Sequence, residues 1–429
     1  MAEVPPLYDG SAERRAPADQ ATVRRTNLGL VLRHLRDHGP RSRARIAQET
    51  GLNKATVSSL VAELADRRLV TTGDVDRAGS VGRPGLTVHL DGRGVCGIGV
   101  ELNVDYVAVL VPNLRGEVLF EQRLALDIPS LGAEATLDAV AGVVTDAVAA
   151  ATAVGACPAG LTVAVAGLVR SADGVVTLAP NIGWRDVAVL DGLRARLDVD
   201  FPIRVENDAN LSAIAEWALG SEARTPDLVY LTGEVGVGGG VIVAGRLLRG
   251  AGGLSGEVGH TTLGDPDVVC GCGRRGCWET VVGLAALLRA AAEPGDPVSD
   301  PARDLETRLA EVAARAEAGD ARTLAALHQV GRSLGTGAAV LINLFNPRVV
   351  ILGGYFAVLG RFLMAPLLTE LEARVLAPGV AGARVVLSTL GFTAAVRGGA
   401  HVALEPVLDD PTLVPVPVPE LASSGAEVR

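Results

Sequence analysis

Aromatic residues are scarce: Trp, Tyr and Phe together make up 3 % of the 429 residues. The core must therefore be built from Ala, Val, Leu and Gly. Cysteine is also scarce. Five in the whole chain do not make a disulfide scaffold. Lysine is nearly absent, with one Lys against 38 Arg. The opening segment, Met1 to Gly10, has two prolines and no basic-then-apolar pattern, so no secretory signal is expected there. The one long uncharged run, Ala147 to Val169, is broken by Gly155, Pro158 and Gly160. It predicts a helix end, a turn and a buried strand, not a membrane span. These absences predict a cytoplasmic protein with reduced thiols and no membrane partner.

Hydrophobic residues make up 48 % and charged residues 21 %, which excludes fibrous and wholly disordered classes. At about 150 residues per domain, the length predicts two or three domains. The net charge of −10 is unevenly placed. Ala21 to Leu90 holds 12 Lys+Arg and 6 Asp+Glu, a net of +6, so the remainder carries −10 − 6 = −16. A small basic unit joined to a large acidic one suggests a nucleic-acid module on a different kind of body.

From Thr26 a helical period begins, with Leu28, Val31, Leu32 and Leu35 on one face. Gly39-Pro40 stops it. Ser42 is placed to cap a second helix holding Ile46 and Ala47, and Gly51 marks a tight turn. Asn53 is placed to cap a third, whose apolar face is Val57, Leu60, Val61 and Leu64. This is helix-turn-helix spacing. Leu69-Val-Thr-Thr and Leu86-Thr-Val-His-Leu then flank a Gly-rich stretch with Gly82-Arg83-Pro84, the pattern of a wing. Lys54, Thr56, Ser58 and Ser59 face outward near the start of the third helix, as base-edge and phosphate contacts require. Arg41, Arg43 and Arg45 suit phosphate contact, and Arg83 a minor groove.

After residue 92 the pattern turns α/β. Strand-like segments at Val95–Val100 and Val107–Val111 are followed, near 228–250, by a second block of similar kind, as if two lobes opened alike. His260 precedes Cys270-Gly-Cys272-Gly-Arg-Arg-Gly-Cys277. Three thiolates and an imidazole make a closed tetrahedral site, so a structural Zn²⁺ is expected on His260, Cys270, Cys272 and Cys277. Cys96 and Cys157 are expected to be inert core thiols. Glu206-Asn207-Asp208 follows the strand Ile203-Arg-Val, where a carboxylate points into the ligand crevice of an α/β sheet and accepts a sugar hydroxyl's proton. Zinc draws Glu257, His260 and Glu279 into one neighbourhood, a set suited to vicinal hydroxyls.

These residues resemble the ROK family (repressors, open reading frames and sugar kinases), specifically its repressor branch, over residues 23–410. The most specific parts are Gly256-Glu-Val-Gly-His260 and the Cys-x-Cys-Gly-x-x-Gly-Cys-x-Glu loop, preceded by Gly236-Val-Gly-Gly-Gly-Val-Ile-Val-Ala-Gly-Arg. The resemblance implies an α/β fold: an N-terminal winged helix-turn-helix plus an actin-like, hexokinase-like two-lobed domain with a sugar in its cleft. It implies sugar contacts from Asn207, Asp208, Glu257, His260 and Glu279, and less securely from Asn181 in Pro180-Asn-Ile-Gly-Trp184 and from Gly167. Asp208 matches the catalytic base of the family's kinases, which normally lack the winged helix.

The chain departs from those kinases at both phosphate loops. Where they resemble Asp-x-Gly-Gly-Thr, it reads Gly99-Val-Glu-Leu-Asn103, with Glu101 beside the place of a polyanion. Where they resemble Gly-Thr-Gly-x-Gly-Gly, it reads Gly233-Glu-Val-Gly-Val-Gly-Gly-Gly240, with Glu234 and Val235 misplaced for phosphate. No catalysis is expected.

The reading is a sugar-responsive transcriptional regulator, a repressor, binding double-stranded operator DNA as a homodimer or homotetramer. A sugar kinase with an appended DNA module, or an orphan regulator without a small ligand, are the alternatives. The expected divisions are a tail over 1–22, the winged helix over 23–92, the ROK domain over 93–410 and a loose tail over 411–429. The ROK lobes are expected at about 93–205 plus the C-terminal helix, and at 206–392.

Overall fold

The computed structural model describes residues 19–75, 86–301, 303–376 and 382–417. They form two compact units. The smaller takes the described residues up to Val95, Asn113–Glu117 and those from Leu404 onward; the larger takes Cys96–Pro112 and Val118–Ala403.

In the smaller unit three helices, α1 (Gln20–His38), α2 (Arg43–Thr50) and α3 (Lys54–Asp66), pack their predicted apolar stripes together. α1 begins six residues before the apolar period because the Asp19 carboxylate accepts the Thr22 N–H at 2.7 Å. Residues 20–22, expected in a tail, are thus helical. Gly51 adopts φ 74° at the turn, and the Asn53 side chain accepts the Thr56 N–H at 2.8 Å. Ser42 stands at the N-cap of α2 but makes no side-chain cap bond. β1 (Arg41–Ser42), β2 (Val70–Val75) and β3 (Leu86–Leu90) form an antiparallel sheet in the order β1-β3-β2. The link between β2 and β3, with Gly82, Arg83 and Pro84, lies outside the described residues. Arg67 donates to the carbonyls of Thr412 and Val414, tying down residues expected in the loose tail.

The larger unit is built twice over. One sheet comprises β4 (Val95–Leu102), β5 (Tyr106–Pro112), β6 (Val118–Ala125), β7 (Cys157–Val165) and later β11 (Ile203–Asn207), in the order β11-β7-β4-β5-β6. Between β7 and β11 lies a small sheet of β8 (Leu168–Arg170), β9 (Val175–Ala179) and β10 (Trp184–Ala188). The second large sheet comprises β12 (Leu228–Gly233), β13 (Val237–Val243), β14 (Arg246–Leu247), β15 (Val349–Gly354) and β16 (Arg384–Leu387), in the order β14-β13-β12-β15-β16. In each, the first strand is central, two strands follow on one side, and a crossover adds two on the other. The weak sequence likeness between the blocks near 95–120 and 228–250 is therefore a topological repeat.

The helix Ala133–Ala153 is long and apolar enough to cross a membrane by length and composition. Here it buries Leu137, Val140, Val144 and Ala147 in the core of the first lobe. The chain's few aromatics concentrate in the second lobe, where Trp278, Tyr230, Tyr355 and Phe356 are its largest fully buried side chains. Cys96 is buried, and burial pushes its thiol up to about 12. Cys157, expected in the core, is exposed because it starts β7 at the sheet's margin.

Two glycines seat the C-terminal helix Ala394–Asp409. A Cβ on Gly99 of β4 would stand 2.0 Å from the Val396 carbonyl, and one on Gly398 would stand 1.9 Å from the Leu211 carbonyl. Both neighbours are backbone, so neither can swing away. Gly398→Val is expected to destabilise the larger unit by about 2 kcal/mol, the usual scale of overpacking. A urea midpoint unchanged from wild type would contradict this.

Candidate functional site

The Cys/His cluster is built on tight turns. Val258–His260 forms a short 3₁₀ turn, and Gly273 and Gly276 take φ 84° and 70° in the cysteine loop. Candidate ligand atoms of His260, Cys270, Cys272 and Cys277 all lie within 4.8 Å of one another. Cys272 Sγ and Cys277 Sγ are 3.7 Å apart, and Cys270 Sγ is 3.7 Å from His260 Nδ1. Ligands about 2.3 Å from a tetrahedral ion stand about 3.8 Å apart, so this donor set fits one metal ion with no position left open.

The same imidazole reaches the cleft between the lobes. His260 Nε2 is 4.0 Å from Glu257 Oε2. Glu279, two residues past Cys277, accepts the Val237 N–H at 3.0 Å and lies 3.4 Å from Cys270 Sγ. It thus joins the cysteine loop to the glycine-rich strand β13. Asn181, Asn207, Asp208, Glu257, His260 and Glu279 line one cavity of about 90 Å³, together with Gly167.

Asn207 ends β11 and caps the helix Asp208–Leu219. Its side-chain oxygen accepts the Asn210 N–H at 2.9 Å, while its amide nitrogen donates to Gly167 O at 3.1 Å. Asp208 opens that helix, facing the cavity. Burial, then the nearby Glu234 charge, raises its carboxyl to about 7. Burial also raises Glu257, against the pull of His260.

The two altered phosphate loops bond to each other. Asn103 Nδ2 donates to Glu234 Oε2 at 2.9 Å across the lobes, and lies 3.2 Å from Glu101 Oε1. The Tyr106 hydroxyl donates to Glu101 at 2.8 Å. Glu101 is 3 % exposed; burial, then Glu234, pushes it up to about 8. Burial raises Glu234 too, with the Asn103 bond opposing. Carboxylates thus stand where segments 99–103 and 233–240 meet. Glu101 and Glu234 stand out in the sequence as charges, but their shared partner Asn103, 131 residues from Glu234, does not.

A second cross-lobe contact escaped the sequence altogether. Glu206, 4 % exposed, accepts the Asn207 N–H at 3.0 Å, the Asn210 amide at 3.1 Å and the Ser171 hydroxyl at 3.2 Å, and pairs with Arg249. Glu206 sits in the singled-out tripeptide, but nothing in its spacing pointed to Arg249.

On the smaller unit Lys54, Ser58 and Ser59 are exposed on α3, and Thr56 is half-buried. Ser59 Oγ accepts from Arg24 at 3.2 Å, and Ser58 bonds back to the Lys54 carbonyl at 2.9 Å. Arg41 is turned inward to Glu49 at 3.1 Å, along with Arg45 at 2.7 Å and His34 at 2.7 Å. Those partners, Arg45 first, hold Glu49 at about 2. Arg43 makes no ion pair among the described residues. Arg83 lies outside them.

Residues 97–405 match the ROK family, and residues 29–79 match the MarR family. The chain belongs to the ROK family. It is 30 % identical over 398 residues to the xylose repressor of Caldicellulosiruptor bescii, covering 91 % of this chain and 98 % of that one. Its fold superposes, with a TM-score of 0.72 and 25 % identity, on a ROK transcriptional regulator described as a homologue of E. coli MLC, over 90 % of this chain and 97 % of that one. A ROK glucokinase from Streptomyces griseus, solved with glucose and AMPPNP, aligns at TM-score 0.61 and 29 % identity over 72 % of this chain and 99 % of that one. The ROK match stops short of the winged helix, and the MarR match supplies it. The architecture is thus a MarR-type winged helix joined to an actin-like ROK body.

Proposed function

We propose that this chain is a sugar-responsive DNA-binding transcriptional repressor whose cleft binds an effector and transfers no phosphate. One observation carries the reading. A winged helix with exposed α3 polar residues shares the chain with a ROK cleft whose phosphate loops are bonded through Asn103 and Glu234. The similarity to the xylose repressor and to the MLC-like regulator supports it.

The sugar is held by Asn181, Asn207, Asp208, Glu257, His260 and Glu279. Asp208 serves as a hydroxyl acceptor and not as a kinase base. Zn²⁺ on His260, Cys270, Cys272 and Cys277 supplies a structural crosslink that sets the His260 ring and the Glu279 backbone. The operator is contacted by Lys54, Thr56, Ser58 and Ser59 of α3, by Arg43, and by Arg83 of the wing. Arg41 reaches phosphate only by leaving Glu49. A homodimer matches a pseudo-palindromic operator. The sugar alters operator affinity through unequal affinity for two conformations, with a coupling of about 1–3 kcal/mol.

The test is fluorescence anisotropy with DNA from upstream of the protein's own gene, followed by a sugar panel and an ADP-release assay. Specific binding shifted by a sugar is expected, with ADP release at background. Sugar-dependent ADP release abolished by Asp208→Ala would instead establish a kinase carrying a DNA module. Specific binding that no sugar shifts would favour an orphan regulator. Lys54→Ala is expected to weaken binding on specific and non-specific DNA alike and to reduce the salt slope by about one. An unchanged slope would remove Lys54 from the interface.

A further inference from the structure

Resting on the sugar-effector reading, we infer that the effector is an unphosphorylated, uncharged monosaccharide, and that Glu234 is the residue that turns phosphate esters away.

The cavity's charge inventory is one-sided. Asp208, Glu234, Glu257 and Glu279 line it, and no Arg or Lys does among the described residues. Its one imidazole, His260, has Nδ1 beside Cys270 Sγ and Nε2 facing Glu257. The nearby guanidiniums are engaged elsewhere: Arg249 pairs with Glu206, and Arg123 lies 3.9 Å over the Tyr106 ring. A phosphate dianion needs such cations, or free backbone N–H groups at a helix start or glycine loop. Three of the amides around the cavity are also occupied. The Asn210 N–H goes to Asn207, the Val237 N–H to Glu279, and the Glu234 N–H to Gly236 O at 2.9 Å. A phosphate inside this cavity would meet carboxylates and no Arg or Lys among the described residues.

A neutral sugar meets the opposite situation. Its hydroxyls donate to these carboxylates, and the Asn181 and Asn207 amides serve its oxygens. Thr232, 4 % exposed, adds a hydroxyl to the cavity wall. Glu234 is the selecting residue because it lines the cavity, stands at the glycine-rich turn before β13 and adds to the charge around Asp208.

The test is isothermal titration of the full-length, zinc-loaded protein. The ligands are D-glucose, D-mannose, D-galactose and N-acetyl-D-glucosamine, each paired with its 6-phosphate, and D-xylose paired with its 5-phosphate. At least one free sugar is expected to bind, with its ester at least 100-fold weaker. Glu234→Gln is expected to narrow that gap by tenfold or more. An ester binding as tightly as its parent sugar would overturn the inference and leave the sugar-effector reading standing. So would a gap unchanged in Glu234→Gln, as to the role of Glu234. Failure of every sugar and every ester would overturn the sugar-effector reading itself, and this inference with it.

Discussion

Cys272→Ser is expected to lose the bound zinc and the sugar response together while DNA binding by the winged helix survives. The thiol is one of four candidate ligands, all within 4.8 Å of each other, and a structural zinc site missing one thiolate is weakened severely. Structural zinc contributes about 10–16 kcal/mol to binding in small zinc-dependent peptides. This loop lies within a large folded unit, so the local geometry is lost before the fold. The consequence reaches the cleft by two short routes. His260 offers Nδ1 to the cluster and Nε2 to Glu257, and Glu279 contacts both Cys270 Sγ and the Val237 N–H. Metal analysis should fall from about one zinc per chain to near none, and sugar affinity by 100-fold or more. Cys272 is only partly buried, so the substitution spares the packing that Cys277 and Trp278, each 1 % exposed, would disturb. A metal-free Cys272→Ser protein that still answers sugar with wild-type affinity would separate the zinc from the effector site.

Glu101→Gln is expected to remove much of the pH dependence of the larger unit's stability. Burial, then the Glu234 charge, pushes Glu101 up to about 8 from the usual 4.5 of a glutamate. A carboxyl raised in the folded state holds its proton more tightly there than in the unfolded chain. Its favourable contribution is complete below the unfolded value and is lost as pH rises through the folded one. Wild-type stability should therefore fall between about pH 5 and pH 8, by an order-of-magnitude 3–5 kcal/mol from this group. Glutamine keeps the carbonyl that accepts from Tyr106 and has no proton to lose. All three tryptophans, Trp184, Trp217 and Trp278, lie in the larger unit, so their fluorescence follows that unit alone. Melts at a series of pH values should show a much flatter slope in the variant. Identical slopes would mean that Glu101 is not the titrating group.

Both predictions rest on features of unequal legibility in the sequence. The cysteine loop could be read directly, because its ligands fall within 18 residues and glycines between them leave little choice of turn. The three helices could also be read, since each buries an apolar stripe at helical spacing and ends at Gly39, Gly51 or an Asn53 cap. The start of α1 was misplaced because a capping Asp19 needs no apolar period to hold the first turn. Arg41 had the right chemistry for phosphate, yet Glu49 on the next helix holds it, a contact that depends on how α2 places Glu49 beside Arg41.

The family, the two kinds of unit and the candidate metal ligands were legible in the sequence. Each of these depends on residue types at short spacing, where the chain's own geometry limits the outcome. What segments 99–103 and 233–240 contact depends on packing between distant parts of the chain. Asn103, which also bonds Glu101, meets Glu234, and Glu206 meets Arg249, because segments at or just past the ends of strands in two different sheets come together. Burial there, and not composition, lifts Asp208 to about 7 and Glu101 to about 8. A carboxylate's proton affinity is a property of its surroundings, and those surroundings exist only once distant segments have packed.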